Sequence, residues 1–271
     1  MRERLRAIAH ETVAILESGS YRAPDGGQVQ LADGITRAVA GTRLYLPGDQ
    51  LPQVSPTATR PHVQVTGETA LAATRRLGGD VACLVFASAK NPGGGFRNGA
   101  QAQEESLARA SALYACQLAA AEFYTFHRQQ HDHRYSDRII YSPAVPVFRD
   151  DTGTLLTEPY PVTFLTAAAP NLTAITASQP RAAASVPAIL RARAVRILQV
   201  AAAHQHRRLV LGAWGCGVFG NDPAAVAAAF AGPLREPAGP GQVVFAVHDR
   251  QPGTPVYQAF TDIFAANTPL A

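Results

Sequence analysis

Three stretches in close succession decide how this chain reads: Val81-Ala82-Cys83-Leu84-Val85-Phe86-Ala87, then Asn91-Pro92-Gly93-Gly94-Gly95, then Gln103-Glu104-Glu105. The first is a continuous apolar run of the length and β-branched character expected of a strand buried on both faces. The third opens an Ala/Leu-rich segment with helical character. Between them, consecutive glycines let the backbone approach a ligand closely and take dihedrals closed to other residues. A buried strand, a glycine loop and a helix in that order place the loop at the carboxyl end of the strand, where open α/β sheets bind ligands.

Working outward, the same alternation continues. Val63–Val65 and Pro161–Ala168 read as strands, and Glu68–Leu77 as a helix. Arg138–Tyr141 and Val145–Arg149 read as one strand broken by Pro143 and Pro146. Glu104 to His127 contains no Pro or Gly and predicts a single long helix; Ala183–His206 predicts another, with Pro187 near its start. Leu209–Leu211 and Val243–Val247 read as strands, Pro223–Phe230 and Val256–Phe264 as helices. Residues 2–18 carry Leu5, Ile8, Ala9, Val13 and Leu16 at a helical period. Residues 19–62 are rich in Gly, Pro and Thr, with strand-like pieces at Val29–Leu31 and Arg43–Leu46. The expectation is a three-layer α/β/α fold with a mixed, largely parallel central sheet. Residues 1–60 form an N-terminal extension packed on a core of residues 61–271.

The chain has 271 residues, 47% hydrophobic and 16% charged, which reads as globular and large enough for a substantial core. The net charge of +4 is scattered, almost all of it arginine; Lys90 is the only lysine. This is an Arg-biased surface with some capacity to steer an anionic substrate, without the basic run of a nucleic-acid binder. Cys83, Cys116 and Cys216 are odd in number and lack metal-ligand spacing, which reads as reduced thiols of a cytoplasmic protein. The charged segment Met1–Leu16 resembles neither a signal peptide nor a membrane span.

Three constellations could carry chemistry. The 91–105 segment pairs a backbone-binding loop with two adjacent carboxylates; its bland alternative is a tight turn before a helix whose N-terminus attracts glutamates. The combination suits a phosphorylated sugar whose glycosidic bond is to be cut. The second is Gly212-Ala213-Trp214-Gly215-Cys216-Gly217-Val218-Phe219-Gly220-Asn221-Asp222-Pro223, again between a strand and a helix. Gly215, Gly217 and Gly220 match the dinucleotide-binding spacing, but too little chain follows for a Rossmann sheet, and Glu236 lies in a Pro/Gly loop. The physical mechanism still holds, since glycine amides and a helix N-terminus bind a diphosphate. The third, His127-Arg128-Gln129-Gln130-His131-Asp132-His133, has two histidines four apart but no further ligand, and reads as a solvated helix end.

With its spacer, the run Gly93-Gly94-Gly95 to Gln103-Glu104-Glu105 resembles the signature of poly(ADP-ribose) glycohydrolases of the bacterial type. Leu84–Ala89 before it, Leu107–Tyr114 after it and the Gly212–Asp222 loop resemble the same branch. The resemblance covers roughly residues 60–265 and implies a macrodomain. It implies that Gly93, Gly94 and Gly95 close over a diphosphate and the ribose distal to adenine, and that Asn91 holds that ribose. It makes Glu105 the catalytic acid, has Glu104 hydrogen-bond a ribose hydroxyl, and gives Gln103 the task of fixing the loop. Gly215, Gly217, Val218 and Gly220 would cradle the diphosphate from the other side, with Phe219 against the distal ribose. Phe260 is the first choice for an aromatic stacked on adenine, ahead of Tyr257 and Phe264.

The activity implied is hydrolysis of ribose–ribose O-glycosidic bonds in poly(ADP-ribose), from chain ends, releasing ADP-ribose. Neither cofactor nor metal is expected, and the implied partners are the polymer, ADP-ribose and ADP-ribosylated proteins, with no membrane and no nucleic acid. Adjacent glutamates on a helix diverge by about 100°, so Glu104 and Glu105 do not form the opposed acid and base of ordinary glycosidases; one carboxyl must serve twice. Two other readings compete: a non-catalytic ADP-ribose-binding macrodomain, which would not need the glutamate pair, and a hydrolase of another ADP-ribose derivative.

Overall fold

The computed structural model describes residues 1–52, 60–236 and 239–265. The chain begins with helix α1 (Arg2–Ser18), the hairpin β1 (Ser20–Arg22) and β2 (Gln28–Gln30), helix α2 (Ala32–Gly41) and strand β3 (Arg43–Tyr45). It continues through β4 (His62–Thr66), α3 (Ala70–Leu77), β5 (Val81–Phe86), α4 (Gln103–Ala110), α5 (Leu113–Ala119) and α6 (Ala121–Gln129). Then follow β6 (Ile139–Arg149), β7 (Leu155–Ala167), α7 (Leu172–Ser178), α8 (Val186–Ala203), β8 (Arg208–Leu211), α9 (Pro223–Ala231), β9 (Gln242–Ala246) and α10 (Pro255–Ala265).

Seven strands form one sheet in the order β3-β6-β7-β5-β8-β9-β4. From β7 to β4 all neighbours are parallel, while β6 runs antiparallel to both β7 and β3. The expected mixed, largely parallel sheet is therefore present. Its strands alternate between two cores. Ala82 and Leu84 of β5 face a cluster with Leu190, Ile197, Phe230 and Phe260 from the helices of one layer. Val81, Cys83 and Val85 face Ile15, Ile35, Leu71, Leu107 and Leu113 of the other. Each large side chain so buried contributes about 1.5–3 kcal/mol, which holds the central strands rigid and fixes where the loops leave them. No helix among the described residues is long and apolar enough to cross a membrane.

Residues 1–52 are stitched into this frame, because β3 pairs with β6 as an edge strand. The sequence reading takes 19–62 as loop with two short strands and misses α2, which holds Gly34 and Gly41. A Cβ on Gly34 would lie 3.0 Å from the Pro146 ring, and one on Gly41 2.7 Å from the Pro143 ring. Close packing on β6 thus requires residues that are poor helix formers. Residues 53–59 of that stretch lie outside the described residues.

The single long helix expected over Glu104–His127 is corrected: it is three helices. Ser111 is extended (φ −147°, ψ 177°) and bridges Val147 on β6, while Ala112 N–H donates to Pro146 O at 3.0 Å. Ser111 Oγ donates to Leu107 O at 2.7 Å and accepts from Leu113 N–H at 3.2 Å. A serine whose hydroxyl serves both broken ends, beside a strand offering a partner, stops the helix without Pro or Gly. β6 is continuous where a break was expected: a bulge between Ser142 and Val145, with Ala144 at φ 46°, absorbs Pro143.

Candidate active site

Because β5, β7, β8 and β9 are parallel, the segments after them emerge at one edge of the sheet, and both glycine loops lie there. In the first loop Gly93 and Gly94 have φ of 65° and 56°, a region that a side chain makes costly. Space forbids one as well, since a Cβ on Gly94 would overlap Glu105 Oε1 and one on Gly93 would lie 2.7 Å from the Phe96 ring. The loop turns on itself through Gly94 N–H to Asn91 O at 3.0 Å and Phe96 N–H to Gly93 O at 3.1 Å. Asn91 is exposed at its start, its N–H donating to Ser88 Oγ at 3.2 Å.

Helix α4 supplies three side chains that fasten this loop. Gln103 mimics a strand partner at the end of β5: its Oε1 accepts from Phe86 N–H at 2.9 Å and its Nε2 donates to Leu84 O at 2.7 Å. Glu105, at the third position of the helix, reaches back so that Oε2 accepts from Ala102 N–H at 3.0 Å, half of a capping box. Its other oxygen accepts from Gly95 N–H at 3.0 Å, which leaves a half-buried carboxylate at the loop mouth. Glu104 points inward and is buried. Its Oε2 accepts from Ser88 N–H at 2.6 Å and its Oε1 from Gln117 Nε2 at 2.9 Å. Burial above all, with the charge of Glu105 adding to it, pushes its carboxyl up to about 8, against the lowering effect of the Ser88 and Gln117 donors. At neutral pH Glu104 therefore tends to hold a proton. The two carboxylates diverge, one to the interior and one to the loop mouth, as neighbours on a helix must.

Gln117 is the residue that sequence reasoning missed. It is fully buried, and its Oε1 accepts from Gly93 N–H at 2.7 Å while its Nε2 serves Glu104. One amide thereby joins the glycine loop to the buried acid. A lone glutamine amid apolar helix positions was the available signal, hidden inside what reads as an ordinary long helix.

The second loop, between β8 and α9, is held by its own backbone. Gly215 and Gly220 have φ of 75° and 68°. Asn221 N–H and Nδ2 both donate to Gly215 O, at 3.1 and 3.0 Å, and Gly220 N–H donates to Gly217 O at 2.9 Å. A Cβ on Gly217 would meet nothing. Val218 stands out at 87% exposure. Phe219 is half-buried, its ring 6.0 Å from that of Tyr135. Beneath the loop Trp214 is fully buried, its indole N–H donating to Ala167 O at 2.9 Å across to the end of β7. Asp222 caps α9 by accepting from Ala225 N–H at 2.7 Å.

A cavity of about 480 Å³ opens beside the two loops, walled by Phe86, Gln103, Ala213, Cys216, Gly217 and Val256. The choice of Phe260 as a stacking ring is corrected here. It is fully buried in the core, 5.5 Å from Phe245, and offers no face to a ligand. Its apolar helix period serves packing; the aromatic in the cavity wall is Phe86. His127 is also corrected. It is buried, not solvated, with Nε2 2.8 Å from Ser136 Oγ, and burial lowers it to about 4 with Arg138 and Arg193 acting in the same direction. Among the described residues no group of three His, Cys, Asp or Glu side chains is placed to hold a metal ion.

The profile of the microbial-type PARG catalytic domain, PARG being poly(ADP-ribose) glycohydrolase, matches residues 9–150. Among solved structures, the poly(ADP-ribose) glycohydrolase of Thermomonospora curvata is 53% identical, with 97% of this chain and 100% of that chain covered at a TM-score of 0.90. The same enzyme bound to the inhibitor ADP-HPD is matched at 52% identity, with 96% and 99% covered and a TM-score of 0.87. The enzyme of Deinococcus radiodurans in complex with ADP-ribose is 43% identical, with 87% and 98% covered and a TM-score of 0.81. Among curated proteins none matches. With two glycine loops at one sheet edge, paired glutamates behind the first, and this similarity along nearly the whole chain, the protein belongs to the microbial-type poly(ADP-ribose) glycohydrolase family.

Proposed function

We propose that this chain hydrolyses ribose–ribose O-glycosidic bonds in poly(ADP-ribose), working from chain ends and releasing ADP-ribose. The observation that carries the reading is Glu105: a half-buried carboxylate bonded to Gly95 N–H at the mouth of the first loop, with the buried Glu104 directly behind it. The adenosine end occupies the cavity walled by Phe86 and Val256, and the diphosphate lies between the two glycine loops, against Gly93–Gly95 on one side and Gly215–Gly220 on the other. Asn91 and Phe219 hold the distal ribose, placing its anomeric carbon before Glu105.

Glu105 gives its proton to the departing ribose oxygen as the bond to the anomeric carbon breaks. It then takes a proton from the water that attacks the same carbon, so one group returns to its starting state. The substrate diphosphate lies beside the developing positive charge and stabilises it. Glu104, neutral and held by Ser88 and Gln117, hydrogen-bonds a hydroxyl of the bound ribose. The three free cysteines fit a reducing, cytoplasmic setting, and polymer carried on modified proteins is the natural target.

A binding-only reader draws on the same bonds, since Glu105 also caps its helix. Glu105→Gln separates the two, because the glutamine oxygen can keep the cap from Ala102 N–H or the bond from Gly95 N–H, though not both, while the side chain cannot shuttle the proton. Incubated with poly(ADP-ribose) in EDTA, with products resolved by size, wild type is expected to release ADP-ribose. The variant is expected to lose turnover by about a thousandfold while binding ADP-ribose nearly as well. Intact polymer with wild type, or joint loss of binding and turnover in the variant, defeats the assignment.

A further inference from the structure

We infer that Lys90 and Arg128 form a subsite for the diphosphate of the ADP-ribose unit that departs. This rests on the hydrolytic reading above and extends it from the unit that is held to the unit that leaves. Lys90 directly precedes Asn91 at the entrance of the first glycine loop and is the chain's one lysine. Arg128, on α6, is exposed, and its Nη1 donates to Lys90 O at 2.7 Å while its Nη2 donates to Thr125 Oγ1 at 3.0 Å. Those two bonds fix the guanidinium against the loop entrance, so two cationic residues sit side by side next to the residue assigned to the distal ribose.

Neither cation has a carboxylate partner among the described residues. Two nearby arginines do: Arg134 pairs with Asp132 at 2.7 Å and Arg193 with Asp137 at 2.8 Å. The Arg128 guanidinium is held at the loop entrance with no carboxylate to neutralise it, so an incoming anion meets an uncompensated positive charge there. The chemistry of the substrate supplies that anion. The departing hydroxyl belongs to an adenosine ribose whose own diphosphate begins only a few bonds away, within the reach of a lysine or arginine beside the scissile bond. The bound unit's diphosphate, by contrast, is assigned to the space between the two glycine loops. The two cations thus distinguish polymer from free ADP-ribose, since only polymer carries a second diphosphate.

The test uses the full chain carrying Glu105→Gln, so that polymer is bound without being consumed. Affinity for labelled poly(ADP-ribose), read by fluorescence anisotropy across a salt series, is compared with calorimetric affinity for ADP-ribose, with and without Lys90→Gln plus Arg128→Gln. Polymer affinity is expected to fall about tenfold at low salt, and the log–log salt slope to flatten by about 1.4, at about 0.7 for each phosphate-neutralising cation lost from a single strand. ADP-ribose affinity is expected to stay within about twofold, as that ligand has no second diphosphate for the lost cations to neutralise. Arg128→Lys alone, which keeps the charge without the two-pronged anchor, should retain most of the polymer affinity. Unchanged polymer affinity overturns the subsite, and so does an equal loss for both ligands, which would make the pair a prop for the loop. Wild-type product release is scored separately: if polymer stays intact the hydrolytic reading fails, while the difference between the two ligands still decides the subsite.

Discussion

The two glycine loops share a plan, each leaving a buried parallel strand and entering a helix, yet they are held by different means. The first is clamped by side chains from beyond the loop: Glu104 and Glu105 from α4, which take Ser88 N–H and Gly95 N–H, and Gln117 from α5, which takes Gly93 N–H. The second closes largely on its own backbone and Asn221, and projects Val218 into solvent. It is tied to the β7–α7 segment through Asn221 Nδ2 to Pro170 O, Thr173 N–H to Phe219 O and the Trp214 indole to Ala167 O. A loop fixed by distant side chains keeps its geometry to the tolerance that bond-breaking demands. A loop fixed by itself needs only to present amides. On the function proposed above, the contrast gives chemistry to the first and binding to the second.

Substitutions at matched positions can break that contrast. Gly94→Ala places a Cβ at φ 56° against Glu105 Oε1, so displacement of the carboxylate should cut kcat by about a hundredfold or more. Gln117→Leu should follow, because it strands Gly93 N–H and the Glu104 carboxyl together. Each buried group left unpaired costs about 1–3 kcal/mol, readable as a lower denaturation midpoint with the slope unchanged. Next is pH. Glu104 titrates near 8 in the folded protein and in the ordinary glutamate range when unfolded. Its contribution to stability is therefore complete below that ordinary range and disappears as pH rises through 8. Glu104→Gln should lose less of its melting temperature between pH 6 and 9 than wild type does. The smallest effect belongs to Gly217→Ala, whose Cβ meets nothing. Stability should stay within about 0.5 kcal/mol, and any loss of activity should appear in KM alone. A fall in kcat as large as that of Gly94→Ala would end the division of labour.

What the sequence made legible were the features set by local pattern. The central strands β5, β8 and β9 show as apolar runs, and both loops stand out because glycine at φ above zero has few substitutes. What escaped were features decided by partners distant in the chain. Ser111 ends a helix because Val147 lies beside it, and α2 tolerates glycine because the prolines of β6 press against it. Phe260 and a ligand-stacking aromatic look alike in sequence, since a ring on an amphipathic helix is apolar whether it faces core or cleft. Gln117 carries no mark of its role, because its two partners come from a loop and a helix that only the fold brings to it.

Trp214 gives the molecule a built-in lamp. It is the only tryptophan in the chain, buried under the second glycine loop and hydrogen-bonded to the end of the neighbouring strand. All indole emission therefore originates at one known depth beneath the place where the diphosphate is to be gripped, with no second emitter to blur it. A change in that emission on adding ADP-ribose to the unlabelled protein, followed by stopped flow, is the expected sign that the loop above it shifts as ligand associates.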